Sequence, residues 1–251
     1  MLLLLFLVLA LTACEQPTPT PAAVPCPTPA QTPSPGAGTP TPTIPPTVTP
    51  DPNTFITGPY VRIKTVFANP AGGFVVAPRA GLGTVVDRSK RVVLTHNHYG
   101  DSNPDRQISK ASAVIIVDSM GNETQVNNFN LMPIDGGTML LDLDNNAISF
   151  SQQAVLGNPA GVPVGADYRQ VYSSGGSNFH SFPTTVLEND PNRSVFVIDN
   201  PGNLLRRGDS GGGGFVNNQL VANLWSQRPS TEKADAAKLP ANIRSVIGQA
   251  R

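Results

Sequence analysis

Short apolar runs bounded by Gly, Pro, Asn or Asp recur along the chain from residue 54 onward. Valine and isoleucine are frequent in these runs, and no long 3.6-residue periodicity appears before the C-terminal end. Runs of this length and spacing predict many short antiparallel β-strands arranged as a sandwich or barrel. The predicted strands cover residues 61–67, 83–86, 92–95, 113–117, 139–143, 195–198, 214–216 and 220–225.

Two local signals refine this pattern near the C-terminal end. The Asn-Asn pair at 217–218 separates two apolar runs and predicts a tight hairpin turn, because asparagine tolerates positive φ. Helical periodicity covers about residues 239–249 and places Ile243, Val246 and Ile247 on one face. The folded part is therefore predicted to be all-β with one short C-terminal helix.

The chain begins with an almost wholly apolar stretch, residues 1–13, which is too short to span a bilayer that needs about 20 residues. This stretch indicates an export signal peptide. The Leu-Thr-Ala-Cys sequence that ends at Cys14 resembles a bacterial lipobox, whose cysteine receives a lipid and becomes the mature N-terminus. The resemblance implies a lipid-anchored protein outside a bacterial cytoplasm. The alternative is an ordinary cleaved signal in which Cys14 has no role.

Residues 14–53 are dominated by proline and threonine and contain no aromatic residue. Such a segment cannot bury enough apolar surface to offset its ordering entropy, so it is predicted to be a disordered tether. Roughly 40 residues at about 3.1 Å each could hold a domain on the order of 100 Å from a membrane. The predicted organisation is a signal at 1–13, a tether at 14–53 and one folded domain at 54–251.

Charge and cysteine content narrow the function classes. Acidic and basic residues balance at 17 each, and no basic cluster exceeds the pair Arg206-Arg207, so the electrostatic footprint of a nucleic-acid partner is absent. The two cysteines, Cys14 and Cys26, both precede the folded domain. The domain is therefore expected to be disulfide-free and stabilised by its hydrophobic core, which is feasible at roughly 200 residues.

Gly208-Asp209-Ser210-Gly211-Gly212 is the most informative run in the sequence. A nucleophilic serine needs a tight turn that exposes its Oγ and points backbone N–H groups at a developing oxyanion, and glycine permits such a turn. Followed by a hairpin, this run resembles the nucleophile region of trypsin-like serine peptidases. The resemblance implies Ser210 as the nucleophile, the Gly208 and Ser210 N–H groups as the oxyanion hole, and a chymotrypsin-like fold of two six-stranded antiparallel β-barrels. The alternative is a glycine-rich surface loop.

A second match precedes the first in the family's chain order. It consists of a Gly-Leu-Gly strand at 81–83, a turn at 87–90 and Leu-Thr-His-Asn-His at 94–98. In the family the last histidine of this pattern is the general base, which implies His98 rather than His96. An imidazole that titrates near pH ~6.5 can take the serine proton and return it to a leaving group. The alternative is a solvated histidine at a strand end.

The same segment also resembles, with one residue misplaced, the Thr-His-x-His-x-Asp-His motif of metallo-β-lactamase-fold hydrolases. His96, His98 and Asp101 could hold one zinc ion, because three protein ligands and a water suffice for a catalytic site. His180 is the only other histidine that could add a ligand. A zinc hydrolase is therefore the less favoured hypothesis, and the peptidase resemblance implies no metal or organic cofactor.

The acid of the triad has no direct match. In the family an aspartate immediately precedes an apolar strand. Aligning the leucine pair at 140–141 with that strand places Gly137 at the acid's position and Asp135 two residues earlier. An irregular backbone at the two glycines would bring Asp135 back to His98. Asp135 is therefore the predicted acid, with Asp142 or no acid as the alternatives.

Asp209 precedes the nucleophile, and in the family the equivalent carboxylate pairs with a newly cut N-terminus or with an internal cation. A lipidated N-terminus is not available for that role. We therefore expect an internal partner, with Arg206, Arg207 or Arg193 as candidates, and no obligatory activating cleavage.

The family selects substrate side chains with a residue six before the nucleophile and with a strand after it. These positions hold Leu204 and, in place of Ser-Trp-Gly, the run that includes Trp225 and Gln227. An apolar pocket floor argues against basic side chains, and Gln227 narrows or closes the pocket. The alternative is that Leu204 and Trp225 are core residues.

These patterns together predict a monomeric, lipid-anchored serine endopeptidase that acts on proteins or peptides by acyl transfer. The alternative from another class is a catalytically silent binding module on a stalk.

Overall fold

The computed structural model describes residues 55–56, 59–77, 80–97, 108–135, 137–143, 148–173 and 178–251. The signal peptide, the tether and Cys14 lie outside the described residues, and so do His98 and Asp101. No helix among the described residues is long and apolar enough to cross a membrane.

The described chain is a series of short strands followed by one helix. In chain order the strands are β1 (Phe55–Ile56), β2 (Tyr60–Ala68), β3 (Phe74–Val76), β4 (Gly81–Asp87), β5 (Val92–Thr95), β6 (Ala113–Val117), β7 (Glu123–Val126), β8 (Phe129–Pro133), β9 (Met139–Leu143), β10 (Ser149–Phe150), β11 (Val155–Leu156), β12 (Asp167–Tyr172), β13 (His180–Glu188), β14 (Val195–Asp199), β15 (Gly213–Val216), β16 (Gln219–Arg228) and β17 (Lys233–Lys238). The helix α1 spans Ile243–Gly248. Each strand predicted from the apolar runs lies within one of these strands, so that prediction is confirmed.

Six C-terminal strands close into a barrel in the order β16-β15-β12-β13-β14-β17, with β17 pairing back to β16. All of these pairings are antiparallel. β11 adds to this barrel in parallel beside β16. The barrel encloses a core of apolar side chains that includes Tyr168, Phe196, Ile198 and Leu224.

The N-terminal strands form an antiparallel sheet in the order β7-β6-β2-β4-β5-β9-β8, with β3 beside β2. Its concave face packs around a second core that includes Val61, Ile63, Val93 and Leu141. Within the described residues β7 and β8 do not pair, so this sheet is a half-barrel. The predicted all-β double barrel with one short helix is confirmed, with eight strands in the open N-terminal part.

The predicted hairpin turn joins β15 to β16. Asn217 and Asn218 both have positive φ, 48° and 61°, and Val216 pairs with Gln219 across them. Two consecutive left-handed residues define the two-residue turn that matches the twist of antiparallel strands. The hairpin prediction is therefore confirmed.

The helix begins later than the periodicity predicted, at Ile243 rather than near Leu239. The Leu239 N–H donates to the Val221 carbonyl at 2.9 Å, so the chain there still belongs to the sheet edge. Ile243 and Ile247 are buried, and they pack on a core shared by both β-sheets. That core includes Leu94 and Leu140 from the N-terminal sheet and Val171, Phe215 and Leu220 from the C-terminal barrel.

We expect Ile247→Ala to lower the free energy of unfolding by about 2–4 kcal/mol, because it leaves a cavity in this shared core. The measurement is urea unfolding followed by tryptophan fluorescence. Ser245→Ala, on the exposed side of the same helix, is the matched control and should change stability by less than about 0.5 kcal/mol. Equal effects of the two variants would show that the helix does not stabilise the domain through this contact.

Candidate active site

Ser210 lies in a tight turn just before β15. The Asp209 N–H donates to the Arg206 carbonyl, and the Gly212 N–H donates to the Asp209 carbonyl, each at 3.0 Å. Gly208 and Gly211 have φ values of 101° and 89°, which side chains rarely adopt. The half-buried Ser210 places its Oγ 3.5 Å from the Trp225 carbonyl oxygen on β16.

Two backbone donors flank Asp209 in this turn. Among the residues that the structure describes, neither the Gly208 N–H nor the Ser210 N–H donates to a protein acceptor. Donors of this kind can stabilise a negatively charged oxygen that develops next to the serine. Their role as an oxyanion hole stays a prediction.

The glycines after Ser210 lie in narrow spaces, Gly211 against the N-terminal sheet and Gly214 against a core side chain of the C-terminal barrel. A Cβ on Gly211 would lie 2.0 Å from the Leu82 carbonyl oxygen, and a Cβ on Gly214 would lie 1.5 Å from the Tyr168 hydroxyl oxygen. No side chain fits at these distances, so the sequence requires glycine here. Residues 211–215 are buried, and the alternative of a glycine-rich surface loop is therefore wrong.

The segment that leads to His98 packs directly against the Ser210 turn. The Leu82 N–H donates to the Ser210 carbonyl, and the Thr95 hydroxyl donates to the Leu82 carbonyl, each at 2.7 Å. The His96 ring carbon Cδ2 lies 3.0 Å from where a Gly211 Cβ would be. The described chain continues to Asn97, and His98 itself lies outside the described residues. The position of the His98 side chain stays a prediction.

The zinc hypothesis falls partly on residues that are not described, because His98 and Asp101 are among them. His96 is only 1% exposed, and His180 lies at the exposed start of β13 with its ring 5.5 Å from that of Tyr172. Within the described ranges, no three His, Cys, Asp or Glu side chains are grouped to hold a metal ion.

Asp135 lies in the turn between β8 and β9. Its Oδ1 accepts hydrogen bonds from the Gly137 N–H at 2.8 Å and the Thr138 N–H at 2.7 Å. The same oxygen is 3.9 Å from where a Gly137 Cβ would be, and the Trp225 Cδ1 is 3.8 Å from that point. The exposed carboxylate thus reaches back toward the position that the strand alignment assigns to the acid. Its role toward His98 stays a prediction.

Asn223 links this turn to the C-terminal barrel. The Thr138 hydroxyl donates to the Asn223 Oδ1 at 3.3 Å, and the Asn223 Nδ2 donates to the Gly137 carbonyl at 3.4 Å. Both side chains are fully buried. Because Asn223 stands on β16 two residues before Trp225, it fixes the Asp135 turn beside the strand that borders Ser210. Nothing local in the sequence indicates this contact.

Asp142, the alternative acid, stands at the other end of β9. It pairs with Val92 in the β5–β9 register, whereas Met139 pairs with Thr95 at the end of β5 that precedes His98 in the sequence. Three residues of strand separate the two ends by about 10 Å. The Asp142 carboxylate is buried and lies 3.6 Å from the Arg251 guanidinium. The Asp142 carboxylate therefore binds the C-terminal residue Arg251.

Asp209 is buried beneath the nucleophile turn, with 1% of its surface exposed. Its two carboxylate oxygens accept hydrogen bonds from the Ser173 N–H at 2.7 Å and the Arg206 N–H at 2.8 Å. Arg62 on β2 donates to the Ser173 hydroxyl. Burial raises the pKa of Asp209, and the two N–H bonds and the charges of Arg62 and Arg206 oppose that rise.

Instead of one internal cation, Asp209 has several partners: the two backbone N–H groups and the two arginine charges. Arg206 was among the candidates, and it acts through its main-chain N–H and its charge. Arg193 is wrong, because its guanidinium pairs with Glu188 at 3.2 Å. The described interactions of Asp209 do not include Arg207. Arg62 was missed, since the sequence marks it only as a charge inside an apolar strand.

Of the three predicted pocket residues, Leu204 precedes the Ser210 turn in the sequence, and Trp225 and Gln227 follow it on β16. Leu204 is 41% exposed, so the alternative that it is a core residue is wrong, and Leu205 occupies the core instead. Trp225 is half-buried at a β-bulge, where the register with β17 shifts between Leu224 and Ser226. Gln227 pairs with the fully buried Ala234. Their contacts with a substrate stay predictions.

No protein-family model matches the chain, and no curated protein matches it in sequence. Solved structures do match it. The active form of the Rv3671c protease from M. tuberculosis is 18% identical, with a TM-score of 0.51, over 76% of this chain and 78% of that chain. The inactive form of that protease is 16% identical, with a TM-score of 0.51, over 76% of this chain and 86% of that chain. At these identities the likeness establishes the fold, and the chain therefore has the chymotrypsin-like double-barrel fold.

Proposed function

We propose that this protein is a serine endopeptidase that cleaves peptide bonds by acyl transfer through Ser210. The observation that carries the proposal is the packing of Thr95 and His96 against the Ser210–Gly211 backbone. This contact supports His98 as the base, because the described chain two residues before it packs against the nucleophile turn. Fold alone does not determine activity, so the proposal rests on this site and not on the likeness to a protease.

In the proposed reaction, His98 removes the proton from the Ser210 Oγ as that oxygen attacks the substrate carbonyl carbon. The N–H groups of Gly208 and Ser210 stabilise the oxyanion that forms. His98 then gives its proton to the leaving amine, which departs with the C-terminal part of the substrate. Water, deprotonated by His98, then attacks the acyl ester. The bond to the Ser210 Oγ breaks, His98 returns its proton to that oxygen, and the N-terminal part of the substrate leaves as a carboxylic acid.

Asp135 is proposed to accept the Nδ1–H of His98 and to hold the imidazole in the tautomer that can take the serine proton. The hydrogen bonds from Gly137 and Thr138 to Oδ1 restrain the carboxylate. Because a carboxylate has about four acceptor sites, Oδ2 keeps the capacity to bind the histidine.

The domain is proposed to act as a monomer outside the cytoplasm, joined to a bacterial membrane by a lipid on Cys14 and a Pro/Thr-rich tether. The apolar run 1–13 and the lipobox-like sequence before Cys14 support this location. Metabolic labelling of the full chain with an alkyne fatty acid tests it. Lipid incorporation that persists in a Cys14→Ser variant would contradict the anchor.

The activity is tested on the purified domain 54–251 with a fluorophosphonate probe and a fluorescent casein substrate. We expect both labelling and hydrolysis, and neither should respond to a chelator. A folded domain that neither labels nor hydrolyses would support the silent binding module. Hydrolysis that a chelator abolishes would support the zinc hypothesis.

Arg62→Met is expected to slow fluorophosphonate labelling by about 10- to 100-fold. Arg62 donates to the Ser173 hydroxyl, and the Ser173 N–H donates to the Asp209 carboxylate. Asp209 lies in the turn that carries the proposed oxyanion donors, and the loss of one such donor costs about 100-fold or more in rate. The measurement is the second-order labelling rate constant of the uncleaved domain. Lys64→Met, on the same face of β2 and paired with Glu123 at the surface, is the matched control. A folded Arg62→Met domain that labels at the Lys64→Met rate would remove Arg62 from this role.

A further inference from the structure

A buried amide lies directly behind the nucleophile turn. Gln170 on β12 is completely buried. Its Nε2 donates to the Gly212 carbonyl at 2.9 Å and to the Gly213 carbonyl at 3.2 Å, and it also reaches the Val171 carbonyl at 2.9 Å. These glycines follow Ser210 by two and three residues. One side chain therefore holds the backbone that immediately follows the nucleophile.

Tyr168 determines which end of this amide faces the glycines. Its hydroxyl donates to the Gln170 Oε1 at 3.2 Å, and burial raises the pKa of the Tyr168 phenol far above its usual value. The hydroxyl therefore remains a neutral donor. Since an amide oxygen can only accept and an amide nitrogen can only donate, this bond turns the Nε2 toward the glycine carbonyls.

Backbone groups of neighbouring strands also bind this stretch. The Leu82 N–H donates to the Ser210 carbonyl, the Gly211 N–H donates to the Leu224 carbonyl, and the Leu224 N–H donates to the Gly212 carbonyl. Gln170 adds side-chain hydrogen bonds to this backbone, at the Gly212 and Gly213 carbonyls. The backbone that follows Ser210 is thus held by β4 and β16 through main-chain hydrogen bonds and by β12 through the Gln170 side chain.

We propose that Gln170, oriented by Tyr168, is a positioning residue that holds the Ser210 turn in its reactive geometry. The glycines have no side chains with which to fix their own backbone, so the buried amide supplies that restraint from β12. A displacement of about 1 Å at a reacting group can cost about 100-fold in rate. The inference rests on the proposed function of Ser210.

The test compares Gln170→Met with wild type in fluorophosphonate labelling resolved into a noncovalent Ki and a rate constant of phosphonylation, the step in which the Ser210 Oγ bonds to phosphorus and fluoride leaves. Methionine keeps the length of the side chain but cannot donate to the glycine carbonyls. We expect phosphonylation to slow by about 10- to 100-fold, with the Ki changed by less than about threefold because the change does not touch the substrate surface. Gln153→Met is the matched control, since that exposed amide binds the Arg88 N–H on the N-terminal sheet.

A purely structural role would lower the fraction of folded, labelled protein but leave the phosphonylation rate constant of that fraction unchanged. Active-site titration together with thermal unfolding separates these outcomes. Tyr168→Phe is the second variant for the case in which Gln170→Met does not fold, and it should slow phosphonylation by about 3- to 10-fold as the amide loses its orientation. A phosphonylation rate constant within about twofold of wild type in the folded variant would overturn the proposal. Labelling of the wild-type domain tests the function of Ser210 separately. The inference about Gln170 depends only on the ratio of the variant's labelling rate constant to that of wild type.

Discussion

Ser210→Ala should lower the rate of peptide hydrolysis by about 10⁶-fold and abolish fluorophosphonate labelling, while the domain keeps its thermal stability. Alanine removes the only atom that can form the acyl bond, and losses of this size follow removal of a serine nucleophile. His98→Ala should cost about as much. A Ser210→Ala/His98→Ala double variant should be no slower than either single variant, because nucleophile and base act as one unit.

Ser226→Ala is the control for this comparison. Ser226 lies on β16 one residue after Trp225, but its hydroxyl donates to Asp235 at 3.0 Å rather than facing the turn. Its loss should change hydrolysis by less than about threefold, as expected of a residue outside the reacting groups. Hydrolysis that survives in Ser210→Ala would contradict the proposed mechanism.

Asp135→Asn should lower the turnover number by about 10⁴-fold with little change in KM, because an amide in place of the carboxylate favours the wrong tautomer of His98. The measurement is steady-state hydrolysis of a peptide ester or amide. The amide oxygen of asparagine can still accept the N–H groups of Gly137 and Thr138, so the turn should keep its shape.

Asp142→Asn is the matched control for the acid. That carboxylate pairs with Arg251, so its replacement should lower stability and leave the turnover number within about threefold of wild type. Full activity in Asp135→Asn would remove Asp135 from the triad. A large kinetic loss in Asp142→Asn instead would assign the acid to that residue.

The strands that the sequence predicts are those whose buried positions are mostly Val, Ile and Leu. β17 was missed, because its sequence Lys-Ala-Asp-Ala-Ala-Lys has the composition of a helix. It forms a strand because β14 and β16 pair with it on both sides. β12 was also missed, since Tyr168 and Gln170 alternate with the polar Asp167 and Arg169 and give only a weak apolar signal.

The nucleophile turn is predictable because its requirements are local, namely a serine in a run of glycines that permit positive φ. The groups that hold the turn in place come from distant parts of the chain. Ser173 binds the Arg62 side chain across 111 residues of sequence, and Gln170 contacts Gly212 across 42. The first contact joins the two β-sheets, and the second joins neighbouring strands of the C-terminal barrel. Both arise only when distant parts of the chain come together, so no spacing in the sequence indicates them.

The most direct test is to map the fluorophosphonate adduct by mass spectrometry after digestion of the labelled domain 54–251. We predict one adduct, on the Ser210 hydroxyl, that forms in the folded domain and is lost when the domain is unfolded before labelling. A folded domain that carries no adduct, or an adduct on another residue with Ser210 unmodified, would contradict the assignment of Ser210 as the nucleophile.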